Sequence, residues 1–316
     1  MTTSPYGHNP VTERYGSAPA RHAGQGIGPR QMRLFGVTLV AMATQMSELL
    51  WRAIGDLRVQ PVSKRIRASS QGRTVVDTCR AQLVWEPRRV VASYAVPVED
   101  IAGELVPVTG TGAAERPVSG GDGSPVLDPR SPFSAHTSAG AAWTIRTPEG
   151  DLAGAAFRPD DPDLAGYVIL DWGAFAQWHE EDEPVTGHPH DPYHRIDCLA
   201  SSRRIQIAHE GVTLADTTRA TLLYETSLPT RFYIPGEDVA RELLEPTATH
   251  TVCAYKGQAS YWSARIGDSL LPDLAWSYPT PLNDAVPVGG LIAFLTERLD
   301  LTIQGEPQPR PRTPWS

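Results

Sequence analysis

Cysteine is scarce in this chain: Cys79, Cys198 and Cys253 are widely spaced, odd in number and without a CxxC pair. That argues against a disulfide framework and a structural cysteine-zinc site, and implies a reducing compartment. Long hydrophobic runs are missing as well. The most apolar stretch, Leu34 to Ala43 in "RQMRLFGVTLVAMATQM", is too short to cross a bilayer, which takes about 20 residues. Its basic flank and terminal "AMA" imitate a secretion leader, but a leader begins near the first residue. The expected location is therefore cytoplasmic, with no membrane partner. Nor is there a run of basic residues. Lys and Arg number 28 against 36 Asp and Glu, a net charge of −8, which argues against a nucleic-acid partner.

Turn formers are plentiful, with 29 prolines and 27 glycines, as suits short strands joined by many turns. Residues 1–45 lack periodicity in their Gly, Pro, Ser and His-rich part and are expected to be disordered or a non-native extension, with Met46 a candidate natural start. In "SELLWRAIGDLRV" (47–59), Leu50, Trp51, Ile54 and Leu57 recur at helical spacing, predicting an amphipathic helix over 46–60 that packs on the first domain.

The chain then repeats itself. "RIRASSQGRTVVDTCRAQLVWE" (65–86) aligns with "RIQIAHEGVTLADTTRATLLYE" (204–225) at one constant offset. Gly72 meets Gly211, Asp77 meets Asp216, Arg80 meets Arg219 and Glu86 meets Glu225. After one deletion Pro97 meets Pro235 and Asp100 meets Asp238, and further on Ala156-Phe157 meets Ala275-Trp276 and Phe175 meets Phe294. Alternating apolar residues about each Gly turn read as hairpins. The predicted fold is mainly β: two tandem copies of a small antiparallel β domain behind the N-terminal helix. The first, eroded copy covers 61–180, a linker 181–203, the second copy 204–305 and a disordered tail 306–316. Residues 108–131 read as an inserted loop.

The segments "YETSLPTRFYIPGEDV", "HTVCAYKGQASYWS" and "AWSYPTPL" resemble the family known as domain of unknown function 427 (DUF427), and both copies and the linker share the resemblance. The resemblance implies a compact, tent-like β domain, usually in bacterial cytoplasm, and little about activity. The family sometimes carries a nucleotidyltransferase label. That chemistry needs a Gly-Gly turn followed by two carboxylates one residue apart that share Mg²⁺. Gly289-Gly290 and Asp300 fit, but Thr302 stands where the second carboxylate belongs and the setting is strand, so the label is not adopted.

Two constellations carry candidate chemistry. The first is the aromatic and lysine cluster of the second copy, with Tyr255, Lys256, Trp262, Trp276, Tyr278 and Glu225 as candidate ligand-binding residues. Such rings fill a core or stack on a planar or cationic ligand. Alternation along a strand would set Tyr255, Gly257 and Ala259 on one face and Lys256 on the other. In the first copy Cys253, Tyr255 and Lys256 become His136, Ser138 and Ala139, while Gly140 keeps the place of Gly257. This pattern marks Tyr255 and Lys256 as optional for folding and as candidates for binding. Lys256 could pair with an anion, act as a base or nucleophile at lowered pKa, or lie in solvent. The second constellation is the linker "HEEDEPVTGHPHDPYHRID". His188, His190, Asp191 and His194 are its metal-ligand candidates, but the spacing is irregular and prolines keep it extended. A linker clipping the two domains together is the stronger reading, and no metal or cofactor is expected. Two functional classes stay open: a small-molecule binding module with its pocket in the second copy, and an enzyme acting there or at the domain junction.

Overall fold

In a computed structural model, residues 45–108 and 125–313 are described, together with the short strand segments 33–34, 37–38 and 118–119. Most of residues 1–45, expected to be disordered, and most of the expected loop 108–131 lie outside the described residues; within the first of these spans Arg33–Leu34 pairs with Val37–Thr38. Helix α1 spans Met46–Arg52 and tightens into a 3-10 turn at Ala53–Gly55. It is shorter than expected over 46–60. Gly55 is a poor helix former, and Asp56 turns the chain to extended backbone (φ −94, ψ 153). Leu57 therefore leaves the helix and packs with Val84 and Ile169, while Leu49 and Leu50 stay about half exposed.

The first half contains β1 (Arg58–Pro61), β2 (Ile66–Ser70), β3 (Arg73–Thr78), β4 (Gln82–Trp85), β5 (Ser93–Pro97), β6 (Glu104–Pro107), β7 (Gly140–Thr147), β8 (Gly150–Pro159), β9 (Tyr167–Leu170), β10 (Gln177–Glu180) and β11 (Glu183–Val185). The second contains β12 (Ile196–Ser201), β13 (Ile205–His209), β14 (Val212–Thr217), β15 (Ala220–Glu225), β16 (Arg231–Ile234), β17 (Leu244–Cys253), β18 (Gly257–Ile266), β19 (Ser269–Ser277), β20 (Ile292–Phe294), β21 (Asp300–Ile303) and β22 (Glu306–Gln308). Each half builds a seven-stranded and a four-stranded antiparallel sheet. The orders are β1-β4-β5-β9-β8-β7-β6 with β11-β10-β2-β3, and β12-β15-β16-β20-β19-β18-β17 with β22-β21-β13-β14. The two halves therefore share one strand order.

Register agrees as well. Ile66 pairs with Thr78 and Ile205 with Thr217; Leu83 pairs with Tyr94 and Leu222 with Phe232. Both first hairpins turn through a non-glycine residue and a glycine at positive φ, Gln71-Gly72 (49° and 78°) and Glu210-Gly211 (49° and 82°), a conformation glycine adopts without a Cβ clash. Asp77 pairs with Arg65 and Asp216 with Arg204, each at 2.5 Å. Arg80 reaches Asp100 at 2.6 Å, and Arg219 reaches Asp238 at 2.8 Å.

Alternation sends Leu83 and Trp85 between the sheets and Val84 to the outer face; Leu222 and Leu223 split the same way. The main core of each half lies between its two sheets. A smaller apolar cluster covers the outer face of each seven-stranded sheet.

Three sequence boundaries move. Glu183–Val185 is a strand of the first half and Ile196–Ser201 opens the second, so the connecting segment is 186–195 rather than 181–203. The chain does not become a tail at 306, because Glu306–Gln308 pairs with Asp300–Ile303 through a Gln304-Gly305 turn. Phe294 corresponds to Leu170, not Phe175, since Ala275 pairs with Phe294 as Ala156 pairs with Leu170. Phe175 and Phe294 each stand thirteen residues after a proline, Pro162 and Pro281, but these lie in loops of unequal length, 160–166 and 278–291, where a shared spacing misleads. No described helix is long and apolar enough to cross a membrane.

Candidate functional site

The turn 254–256 lies between β17 and β18, so Tyr255 and Lys256 are not on a strand and the expected alternation does not apply to them. Gly257 takes φ +91, and a Cβ there would stand 3.2 Å from the Thr280 carbonyl oxygen. The close approach at this glycine is thus made by backbone.

Lys256 is buried, with 7% of its surface exposed. Its Nζ donates to Glu225 Oε2 at 2.5 Å, and His194 Nε2 meets Glu225 Oε1 at 3.0 Å. Burial alone would lower the ammonium, but the Glu225 carboxylate outweighs it and holds the Lys256 pKa above its ordinary value. Burial would likewise raise Glu225, yet Lys256 and His194 hold its pKa at about 2. Lys256 is therefore neither a solvated strand residue nor a base of lowered pKa. It is one member of a satisfied buried ion pair, and removing either partner leaves the other charge stranded. This burial and pairing argue against the expectation that Lys256 is optional for folding.

Tyr255, also 7% exposed, leaves its own half. The rings of His188, His190 and His194 surround it at centroid distances of 5.7, 5.0 and 4.3 Å, the last one stacked. Its hydroxyl accepts the Asp191 backbone N–H at 2.9 Å. The two constellations read separately from sequence thus interlock: the turn of the second half is the plug, and the linker histidines are its collar.

The collar is tied to the first half by Glu180, at the end of β10. Its carboxylate accepts from the Tyr94 hydroxyl (2.7 Å), the His190 backbone N–H (3.0 Å), His190 Nδ1 (3.3 Å) and Lys64 Nζ. Burial would raise this carboxyl, but His190, Lys64 and Tyr94 bring it down to about 2. The other His190 nitrogen, Nε2, lies 2.8 Å from the Ala254 carbonyl oxygen. A carbonyl and an ionised carboxylate only accept, so both ring nitrogens carry protons and His190 is an imidazolium bridging the halves. Its pKa is raised, chiefly by the hydrogen bond to Glu180. His188 shifts the other way, because burial disfavours its charge.

These partners also occupy the side chains considered as metal ligands. His188 Nδ1 meets the Pro189 oxygen at 2.8 Å, and Asp191 Oδ1 accepts the N–H groups of Tyr193 and His194, both at 2.8 Å. Among the described residues no group of three or more His, Cys, Asp and Glu side chains is placed to hold a metal.

The remaining candidates disperse. Trp276 and Tyr278 belong to the outer cluster, where Trp276 Nε1 donates to the Tyr233 hydroxyl at 3.2 Å and the Arg231 guanidinium lies 5.5 Å over its ring. Trp262 packs on the main core instead. The expected single pocket of Tyr255, Lys256, Trp262, Trp276 and Tyr278 does not form, since β18 sends Tyr261 and Trp262 to different faces. Sequence reasoning missed Lys64 and Tyr94, whose contacts with Glu180 span 116 and 86 residues. One signal was available: Tyr94 and Glu180 stand where the second half has Phe232 and Ile303, so hydroxyl and carboxylate are gained together.

A groove of about 390 Å³ lies at the corresponding place in the second half, lined among others by Arg203, Tyr224, Phe232, Leu301, Ile303 and Pro309. By strand register these first four match Lys64, Trp85, Tyr94 and Trp178. In the first half this place is covered by the linker: Tyr193 lies against Trp85 at 6.3 Å and donates to Gln60 Oε1 at 2.5 Å. Trp85, which also packs into the main core and lies under the Arg58 guanidinium, is 7% exposed, whereas Tyr224 is 40% exposed.

No curated protein matches the chain. Residues 197–305, the span that carries the plug and most of the groove's lining, match the model of the family described as a domain of unknown function, DUF427.

Proposed function

We propose that the protein is a non-catalytic binding module whose ligand site is the groove of the second half. The observation that carries this reading is the contrast just described. One groove is covered by the chain's own linker; the equivalent groove is flanked by Gln308, Pro309 and Pro311 but leaves the Tyr224 ring 40% exposed, with the Arg203 guanidinium in its lining. The ligand class is a small molecule with an aromatic ring beside an anionic group, held by stacking on Tyr224 and by charge at Arg203. Catalysis at Lys256 is disfavoured, because that ammonium is committed to Glu225 and Tyr255 is committed to the linker. The three free cysteines and the acidic net charge suit a cytoplasmic setting.

Thermal shift with 4-hydroxyphenylacetate tests the site. Wild type should gain stability with rising ligand, by mass action, and Tyr224→Ala should not. Equal shifts in both proteins would remove the groove from the argument.

A further inference from the structure

The two grooves are bordered by equivalent stretches of chain. Val185 pairs with Trp178 and Gln308 with Leu301, so residues 309–313 leave β22 where residues 186–190 leave β11. Thr313 thereby stands at the place of His190. Pro309 and Pro311 have no N–H to give, so the ladder of β22 stops at Gln308. The chain runs on as a stiff strip, and both prolines line the groove.

What holds the strip differs between the halves. His190 is fixed to Glu180 by ring and backbone and to the Ala254 oxygen, and the chain beyond it carries Tyr193 onto Trp85. Thr313 meets a different group. Its hydroxyl donates to Glu297 Oε1 at 2.8 Å, and Glu297 is an enclosed carboxylate that takes Arg231 Nη1 and Nη2 at 2.6 Å each. A hydroxyl on an ionised carboxylate makes a charge-assisted bond, stronger than one between neutral groups. Arg310 adds an ion pair with Asp300 at 2.7 Å, but both side chains are more than half exposed, so that pair contributes little. Pro309, Arg310 and Arg312 are exposed, and the strip belongs to neither sheet. It can therefore part from the groove while both sheets stay intact, with Thr313 as its fastening.

We infer that residues 309–313 are a strap that retains a ligand in the second groove, and that the Thr313–Glu297 hydrogen bond is its latch. This inference rests on the groove being the ligand site and describes how that site opens. A ligand that fills the groove meets Pro309 and Pro311 as well as Tyr224 and Arg203, because all four line it. Breaking the latch takes the two prolines away from the ligand and clears its exit. The first half has the fixed form of the same device, where the collar around Tyr255 keeps the equivalent stretch in place.

The test uses the full chain. Trypsin needs the strap detached to cleave after Arg312, so release of the 313–316 peptide reports opening, once each rate is divided by that of the matching free peptide. Thr313→Glu sets a second carboxylate against Glu297 and should speed release by about tenfold or more. Thr313→Val removes only the hydroxyl and should speed release by about threefold to fivefold. Saturating 4-hydroxyphenylacetate should slow release from wild type by about tenfold. By titration calorimetry it should bind Thr313→Glu about tenfold more weakly than wild type. Release from both variants at the wild-type rate overturns the inference. So does probe binding that Thr313→Glu leaves unchanged or tightens, since the strip would then be a bystander or a cover. If the probe stabilises wild type through Tyr224 yet does not slow release, the strap inference fails and the groove remains the ligand site. If the probe stabilises neither wild type nor the variants, both fall.

Discussion

Glu86 and Glu225 sit at the same end of equivalent strands, β4 and β15, and both carboxyls are almost wholly enclosed. Their support differs. Glu86 is held by its own half: His136 Nδ1 at 2.9 Å and the backbone N–H groups of Thr137 and Ser138 at 3.1 and 3.0 Å. Glu225 is held by Lys256 from the neighbouring turn and by His194 from the linker. A carboxylate served by fixed backbone amides is a closed local arrangement. One served by a lysine from a turn and a histidine from the linker depends on where the linker lies. The same buried anion can therefore be a local fixture or a sensor of docking, according to which groups answer it.

The sharpest way to break the comparison is to strip one partner from each. Lys256→Ala leaves Glu225 buried with only His194, and should cost about 3–5 kcal/mol in urea melts, as breaking a buried pair does. His136→Ala leaves Glu86 with two backbone N–H donors, and should cost about 1–2 kcal/mol. Equal losses would show that the two carboxylates are not held differently. Between these falls Trp276→Ala, which removes a partly buried ring and should cost about 3 kcal/mol by the same melts.

Tyr255→Ser probes docking rather than local packing. It should remove about 2 kcal/mol and split a single calorimetric transition into two, because the halves lose their common plug while each keeps its own core. One unchanged transition would mean that the plug does not couple them.

The smallest effect is in pH dependence. The folded pKa of His190 is raised, so its stabilisation is complete below the ordinary imidazole value of 6.5 and is lost as pH rises through the higher folded value. His188 has a lowered folded pKa, so its cost appears as pH falls below 6.5. The groups facing His190 are Glu180, Lys64, Tyr94 and Tyr255, with Asp191, His188 and His194 on the linker itself. Stability should decline on the alkaline side in wild type, and His190→Gln should flatten that limb while leaving the acid limb in place. A limb that persists in the variant would assign the loss to another group.

Much of the architecture was legible because it is local. A constant offset, Gly turns and alternating residues are sequence properties, and they gave the paired hairpins that head both halves. The site was legible only in pieces. Tyr255, Lys256, Glu225 and the linker histidines were all picked out, but as two unrelated groups, because their contacts join residues 31 to 64 positions apart. The loss of Tyr and Lys from the first half was visible as well, and it pointed to ligand binding. Its physical cause is different: in the first half Glu86 is already satisfied by His136 and by the backbone of Thr137 and Ser138.

The position of the plug also orders events during synthesis. Both sheets of the first half are complete once Val185 is available. The linker residues that seat on Glu180 follow at once, but Tyr255 and the Ala254 oxygen, which complete the collar, are some sixty positions further along. A nascent chain on the ribosome can close its first half early, with Glu180 answered by Lys64, Tyr94 and the His190 backbone, while the three histidine rings await their centre. The final locking of the two halves is then a late, long-range step, made only after β17 has been laid down and the chain has turned back towards the groove it left behind.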